Sequence, residues 1–320
     1  MIRFEFQGTS HGEGYSGVIE GLPNGFTFDV EEVNKELLKR KQGLGRSARQ
    51  VYADTVVFEG YTQQVTVHGS LRFFVANSSV EKRAEITALR SGHSDVVGRV
   101  RYPDMTVREI AEISSARNSV CYVVLGAICK QYLAKRGIYT YHQVENVGGY
   151  APELMAEAIE KAKSTGNSLG GTVAVGATGV PMGLGEILPY SERLDAQIAG
   201  NLMGIPSVKG VTFGIGDRYA NMDGVSAHDE LAVKNGEIVY ATNNCGGIVA
   251  GITTGADILC HLTVKPIPTV KNVDTVDSVT KQVVPQHYER ADVCVVPNVG
   301  VIAENILAYV LTNQILKQNL

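Results

Sequence analysis

The chain has no tryptophan, and aromatic residues make up only 7% of it. Basic stretches interleaved with aromatics, the usual footprint of a nucleic-acid binder, are therefore missing, and a net charge of −4 points the same way. Cysteines are few: Cys121, Cys129, Cys245, Cys260 and Cys294 are odd in number and show no C-x-x-C spacing. That pattern fits reduced thiols in a cytoplasmic protein better than a disulfide framework. The seven histidines lack zinc-ligand spacing, so no metal is expected. No segment resembles a signal peptide. The best apolar run, Val120 to Cys129, is too short to cross a bilayer, so no membrane partner is expected.

What is present is glycine, 35 residues of it, and enough apolar sequence (44%) for a substantial core. Apolar residues near a 3.6 period, each run close to a Gly or Pro stop, predict helices over 31–41, 116–136, 152–164, 192–203 and 300–318. Strands are predicted over 2–7, 16–20, 51–58, 71–76, 138–145, 171–176, 209–215, 236–241, 246–252 and 258–264. Helices and strands cluster instead of alternating, so the class is α+β with mostly antiparallel sheets. No linker, repeat or low-complexity tract divides the chain, and residues 1–320 read as a single domain.

The stretch "GTSHGEGYSGVIEG" (8–21) contains G-x-G-x-x-G after a short strand, the pattern of a dinucleotide-binding turn. That turn needs a helix behind it. Here β-branched Val18 and Ile19 follow, and then Gly21, Pro23, Asn24 and Gly25 stop any helix. The segment reads as a hairpin, and the pattern match is a coincidence. His11 sits in its loop among small neighbours, where an imidazole is open to a ligand and can exchange a proton near neutral pH.

Other candidates are scattered along the chain. In "LRSGHSD" (89–95), Arg90 and Asp95 surround His93 and could set its charge state. "KRKQGLGRSAR" (39–49) holds five cations and no acid. Its lysines suit a helix C-terminus, but Arg46 and Arg49 fall beyond it on a glycine loop, a setting for phosphate or carboxylate capture. Ser114 or Ser115 can cap a helix whose first turn holds Arg117, a cation that opposes the helix dipole unless an anion lies nearby. "NNCGGIVAGITTG" (243–255) precedes Lys265 in the rigid "KPIPT" turn, and Arg290 and Asp292 stand just before the last long helix.

Together these segments resemble the chorismate synthase family. "GTSHGEGYSGVIEGLPNG" resembles its G-x-S-H-G signature, "SSARNSVCYVVLGAI" its Ser-Ala-Arg signature, and "RADVCVVPNVGVIAENILAYVL" its third. "RSGHSD", "LDAQIAGNLMGIPSVKGVTFGIG", "NNCGGIVAGITTG" and "KPIPT" follow the family's order, and the resemblance runs from residue 1 to about 315. It implies a β-α-β sandwich of two antiparallel sheets enclosing helices, a homotetramer, and conversion of 5-enolpyruvylshikimate-3-phosphate to chorismate and phosphate. It also implies a requirement for reduced FMN, with an external flavin reductase as a possible partner. By position, His11 would protonate the departing phosphate, His93 would balance the reduced flavin's charge, and Asp292 would assist ring-proton removal. Ser10, Arg40, Arg46, Arg49, Arg90, Arg117 and Arg290 would hold substrate. Ser114, Ser115, Pro206, Ser207, Ala250, Lys265, Pro266, Ile267, Pro268, Thr269 and Arg290 would contact FMN.

The chain departs from the family's pattern in places. Ile113 replaces an arginine common before Ser-Ser-Ala-Arg, Asn118-Ser119 replaces Glu-Thr, Ala250 replaces glycine, and His261 replaces an arginine. The family's Thr-Thr-Gly-x-Pro-Ile stretch has no clear match, and the loop between His93 and Ser114 is short. The alternative is a catalytically divergent paralogue that binds FMN or a phosphorylated metabolite as a regulatory or scaffold protein.

Overall fold

The computed structural model describes residues 1–46, 54–78, 80, 84–286, 288 and 291–319. Strands β1 (Arg3–Gly8) and β2 (Gly14–Glu20) form the expected antiparallel hairpin, with Gly8 opposite Tyr15. Its glycines answer the G-x-G-x-x-G question. A Cβ on Gly8 would run into the Gly14 carbonyl, and one on Gly17 would lie 2.5 Å from the Phe73 ring. The glycines allow close packing of the hairpin, and residues 9–13 are left as the loop that carries His11.

After β3 (Thr27–Asp29), helix α1 (Val30–Lys41) starts where the Asp29 side chain accepts from the Glu31 N–H. Glu31 and Glu32 occupy its first turn and Lys39, Arg40 and Lys41 its last, both favoured by the helix dipole. β4 (Val56–Phe58), β5 (Gln64–Thr66) and β6 (Leu71–Ala76) follow. Side chains on β6 alternate strictly between buried and exposed, as a half-buried strand requires. The first large sheet has the order β1-β2-β6-β4, antiparallel throughout.

Two short helices, α2 (Asp95–Arg101) and α3 (Val107–Ile113), occupy a stretch that the sequence pattern leaves without elements. Gly98 lets them meet, because a Cβ there would lie 2.5 Å from the Ile110 side chain. The helix expected from 116 begins as a 3₁₀ turn (Ala116–Asn118) and becomes α4 (Ser119–Ala134) only at Ser119. Then come β7 (Tyr139–Val147), α5 (Met155–Thr165), β8 (Gly171–Thr178), α6 (Leu194–Met203) and β9 (Val208–Phe213). The last third holds α7 (Gly224–Ala227), the hairpin β10 (Leu231–Lys234) and β11 (Glu237–Tyr240), β12 (Ile248–Val249) and β13 (Ile252–Thr253). It closes with β14 (Ile258–Val264), β15 (Asp274–Val276), β16 (Val283–Pro285) and α8 (Val296–Gln318).

The single strand expected over 246–252 is corrected to the β12–β13 hairpin. Ala250 and Gly251 have φ of 51° and 86°, which reverses the chain there. The strand expected over 51–58 begins at Val56, residues 51–53 lying outside the described residues.

The second large sheet has the order β7-β8-β14-β9, again antiparallel. Between the sheets, α4 packs on β2 and α8 packs on β7 and β8, with α1 against both helices. This is the expected α+β sandwich. At the crossing of α4 and α8, a Cβ on Gly126 would collide with Asn305, so the helices approach at glycine distance. Val123, Val124, Leu125 and Ile128 of α4 are fully buried, each contributing about 1.5–3 kcal/mol by removal from water. Helix α8 is long and apolar enough to cross a membrane by length and composition, yet 83% of its most apolar window is buried inside the protein.

Candidate active site

One cavity of about 420 Å³ gathers candidates from six separated segments. Ser10 and His11 enter from the β1–β2 loop, Arg90 and His93 from the loop before α2, and Ser114 and Ser115 from the end of α3. Pro206 and Ser207 come from the α6–β9 turn, and Lys265, Ile267, Pro268 and Thr269 from the turn after β14. Asp292 enters from the approach to α8. An adjoining cavity of about 220 Å³ shares Ser115, Pro206, Ser207 and Asp292 and adds Arg40, Arg46 and Arg117. A larger hollow of about 530 Å³ at the first sheet, lined by Val18, Val57 and Phe74 among others, holds none of the candidates.

His93 is held from one side. Its Nδ1 lies 2.6 Å from Asp95 Oδ1, and Asp95 also takes three hydrogen bonds from Arg90, at 2.8–2.9 Å. Burial pushes the Asp95 carboxyl up, but the hydrogen bonds from His93 and Arg90 outweigh it and hold it well below the usual carboxylate range. The sequence expectation that Arg90 and Asp95 surround His93 matches this geometry. Ser94 donates to Ser114 Oγ (2.7 Å), and Ser114 in turn donates to the Ile110 carbonyl (2.7 Å). The Lys265 ammonium donates to the Gly92 carbonyl (2.5 Å), which clips the His93 loop to the proline-rich turn. That turn is anchored by the Lys265 N–H to the carbonyl of Ser207, a residue with φ of 77°.

His11 is paired with Glu112 on α3, its Nδ1 lying 2.6 Å from Oε1. Ser10 Oγ and the His11 N–H both donate to Oε2 of the same carboxylate.

The cation expected to need an anion in the first turn after Ser115 finds one within the protein. Arg117 makes a bidentate pair with Asp54 (2.5 and 2.7 Å), while its Nε donates to Asn77 (3.1 Å). Ser115, not Ser114, caps that turn by accepting from the Arg117 N–H. Lys41 (2.9 Å) and Arg40 (3.3 Å) converge on the same carboxylate, which is almost fully buried. Burial raises the Asp54 pKa, and the charges and hydrogen bonds of Arg117, Arg40 and Lys41 lower it further than burial raises it. Burial, with help from neighbouring Arg117, pushes Arg40 down to about 10, so it stays charged at neutral pH. Three cations on one carboxylate leave a local surplus of positive charge beside the smaller cavity. Arg46 pairs with Asp292 (2.6 Å), while its buried Nε has no hydrogen-bond partner among the described residues. Much of the basic run at 39–46 therefore neutralises the protein's own acids, since Lys39 also pairs with Glu36 (2.6 Å).

Some expected residues are not gathered here. Ala250 lies on the β12–β13 turn, whose Gly251 abuts Arg193, and is not part of the cavity wall. Pro266 is the one residue of its turn that does not line the cavity. His261 projects from β14 to Glu145 (2.8 Å). Arg49 and Arg290 lie outside the described residues. The sequence reading missed Glu112 and Asp54. A lone aspartate entering an apolar strand at "ADTVVF" was a signal for the second, while nothing in "EIAEISS" marked the first.

The sequence profile of the chorismate synthase family matches residues 2–316. The chain is 36% identical to a chorismate synthase of Thermoanaerobacter pseudethanolicus, over 99% of this chain and 93% of that one. It is 33% identical to a protein named chorismate synthase 2 of Bacillus cereus, over 99% and 94%. A solved structure described as the crystal structure of chorismate synthase superposes with a TM-score of 0.81 at 28% identity, covering 99% of this chain and 92% of that one. With matches that span the sandwich from β1 to α8, the chain belongs to the chorismate synthase family of lyases.

Proposed function

We propose that the chain carries out the anti-1,4-elimination of phosphate from 5-enolpyruvylshikimate-3-phosphate, giving chorismate, with reduced FMN held in the same cavity. The observation that carries the reading is the convergence of His11, His93 and Asp292, from three distant segments, on one cavity rich in cations. The substrate is a multiply charged anion and FMN adds a phosphate, so a net acidic protein must concentrate positive charge locally. The residues present fit such a load. The buried Nε of Arg46, without a hydrogen-bond partner among the described residues, is a donor at the wall, and Lys265, Arg90 and the Asp54 cluster add positive charge.

Ser114, Ser115, Pro206, Ser207 and the Lys265–Thr269 turn would hold the flavin. When bound, reduced FMN supplies an electron transiently to the allylic C–O bond, with no net redox change. The chain's own residues handle protons and orientation. A ring proton and the phosphate leave the substrate as the new double bond forms. His11 gives a proton to the departing phosphate oxygen, and Asp292, held by Arg46, assists removal of the ring proton. His93, fixed through Nδ1 by Asp95, would balance the charge of a bound reduced flavin.

The reading includes a cytoplasmic homotetramer supplied with reduced flavin by an external reductase. Five unpaired thiols support the reducing compartment. The exposed apolar face of the β10–β11 hairpin, with Leu231, Val233 and Ile238, supports assembly. The test is an anaerobic assay with 5-enolpyruvylshikimate-3-phosphate and chemically reduced FMN, following chorismate absorbance and phosphate release. Matched formation of both products is expected, and His11→Ala and His93→Ala should each lower kcat by about 10²–10⁴-fold. Turnover within a few fold of the parent in both variants refutes the assigned roles. The second reading, a paralogue that binds FMN or a phosphorylated metabolite without this chemistry, draws on the commitment of Arg117 to Asp54. It predicts flavin binding that is not strengthened by substrate, and no product.

A further inference from the structure

Glu112 sits in the last turn of α3, the end at which the helix dipole disfavours a carboxylate. It immediately precedes Ile113, the position where the chain departs from the family's usual arginine. Three donors from the His11 loop converge on it. The backbone N–H of His11 donates to Oε2 at 2.9 Å, Ser10 Oγ donates to the same oxygen, and His11 Nδ1 faces Oε1 at 2.6 Å. The side chains of Glu112 and His11 are 15% and 25% exposed, so water competes little for these contacts.

From this geometry we infer that Glu112 is a positioning residue for His11. It keeps the Nδ1 proton in place, so that the proton exchanged with the substrate is the one on Nε2. Among the described residues, both hydrogen-bonding neighbours of Nδ1 present acceptors. Glu112 Oε1 has no proton to give, and the single hydroxyl proton of Ser10 is committed to Oε2, leaving lone pairs toward Nδ1 at 3.1 Å. When His11 transfers its Nε2 proton to the leaving phosphate, the ring becomes the neutral Nδ1–H tautomer, the form that Glu112 accepts from. Proton loss therefore breaks no hydrogen bond on the protein side. The backbone N–H of His11 further fixes the carboxylate, so ring and acceptor are anchored to the same loop. This inference rests on the proposed role of His11.

Glu112→Gln discriminates sharply. A backbone N–H cannot change from donor to acceptor, so the glutamine oxygen must take the Oε2 position and its NH₂ must face Nδ1. The neutral ring is then forced into the Nε2–H tautomer, and the doubly protonated ring meets a donor at Nδ1. An amide in place of the carboxylate behind a catalytic histidine has this effect in serine proteases. The test combines ¹⁵N-histidine NMR of the resting protein, with His11 assigned through His11→Asn, and anaerobic steady-state kinetics. Expected are an Nδ1–H neutral tautomer in the parent, a switch to Nε2–H in Glu112→Gln, and a fall in kcat of at least about tenfold with a nearly unchanged KM. Glu112→Asp, which keeps the acceptor-only character, should recover more of kcat than the glutamine variant. An Nε2–H ring in the parent overturns the inference, as does an unchanged tautomer in Glu112→Gln or a switched tautomer with full kcat. If the parent itself forms no chorismate, the functional reading has failed, and the NMR arm alone decides whether Glu112 sets the tautomer.

Discussion

Replacing Asp54 with asparagine removes the buried charge on which three cations converge. The carboxylate is 3% exposed and takes contacts from Arg117 (2.5 and 2.7 Å), Lys41 (2.9 Å) and Arg40 (3.3 Å). Breaking a buried pair by removing one partner typically costs about 3–5 kcal/mol, because the remaining charge stays desolvated. Here two of the cations, Arg40 and Lys41, are themselves buried, which places Asp54→Asn at the upper end. At roughly 2 °C per kcal/mol, the low end for chains of 150–250 residues and suited to a longer chain, Tm should fall by about 10 °C. Urea unfolding of parent and variant at several pH values is the assay. The native pKa of Asp54 is lowered, so its contribution is fully present above the unfolded value of about 3.9 and is lost as pH falls through the native value. The stability gap between parent and Asp54→Asn should therefore be full at pH 7 and shrink below about pH 4. Adding Lys41→Met to Asp54→Asn should restore part of the loss, since it removes one of the cations that faced the carboxylate. A gap under about 1 kcal/mol at pH 7, or one that does not narrow in acid, would refute the claim that this carboxylate neutralises the cluster.

Two further outcomes follow from packing and from the site. Gly126→Ala should destabilise the protein by about 1–3 kcal/mol or more in the same urea assay, because the added methyl must displace Asn305 at the α4–α8 crossing. Asp95→Asn should lower kcat at least about tenfold in the anaerobic assay, because His93 loses its acceptor and Arg90 its bidentate partner, and unchanged kcat would detach Asp95 from the site.

Much of the fold was legible because its elements carry strong local signals. β6 and β14 were expected over 71–76 and 258–264 and occupy those residues, since alternating burial prints a period of two on the sequence. α1 was legible from its amphipathic run and its charged ends. α2 and α3 were not, because seven-residue helices separated by Pro103 give too few turns for a period to register. The β12–β13 hairpin was hidden in an apolar run whose reversal rests on Ala250 at positive φ, a conformation that an alanine does not announce. α8 begins at Val296, ahead of the expected 300, with Pro297 at a first-turn position where its missing N–H costs nothing.

By itself the sequence determined the α+β class, the hairpin that presents His11, the family, and most of the side chains that line the cavity. Those features depend on neighbours a few residues away or on motifs that survive in order. Only the tertiary structure decided which charges meet. Asp54 draws in Arg40, Lys41 and Arg117 across as many as 63 residues, and Glu112 reaches His11 across 101. Such pairs leave no periodic trace, because a buried charge is satisfied by whatever the fold brings within hydrogen-bond distance, not by its neighbours in the chain.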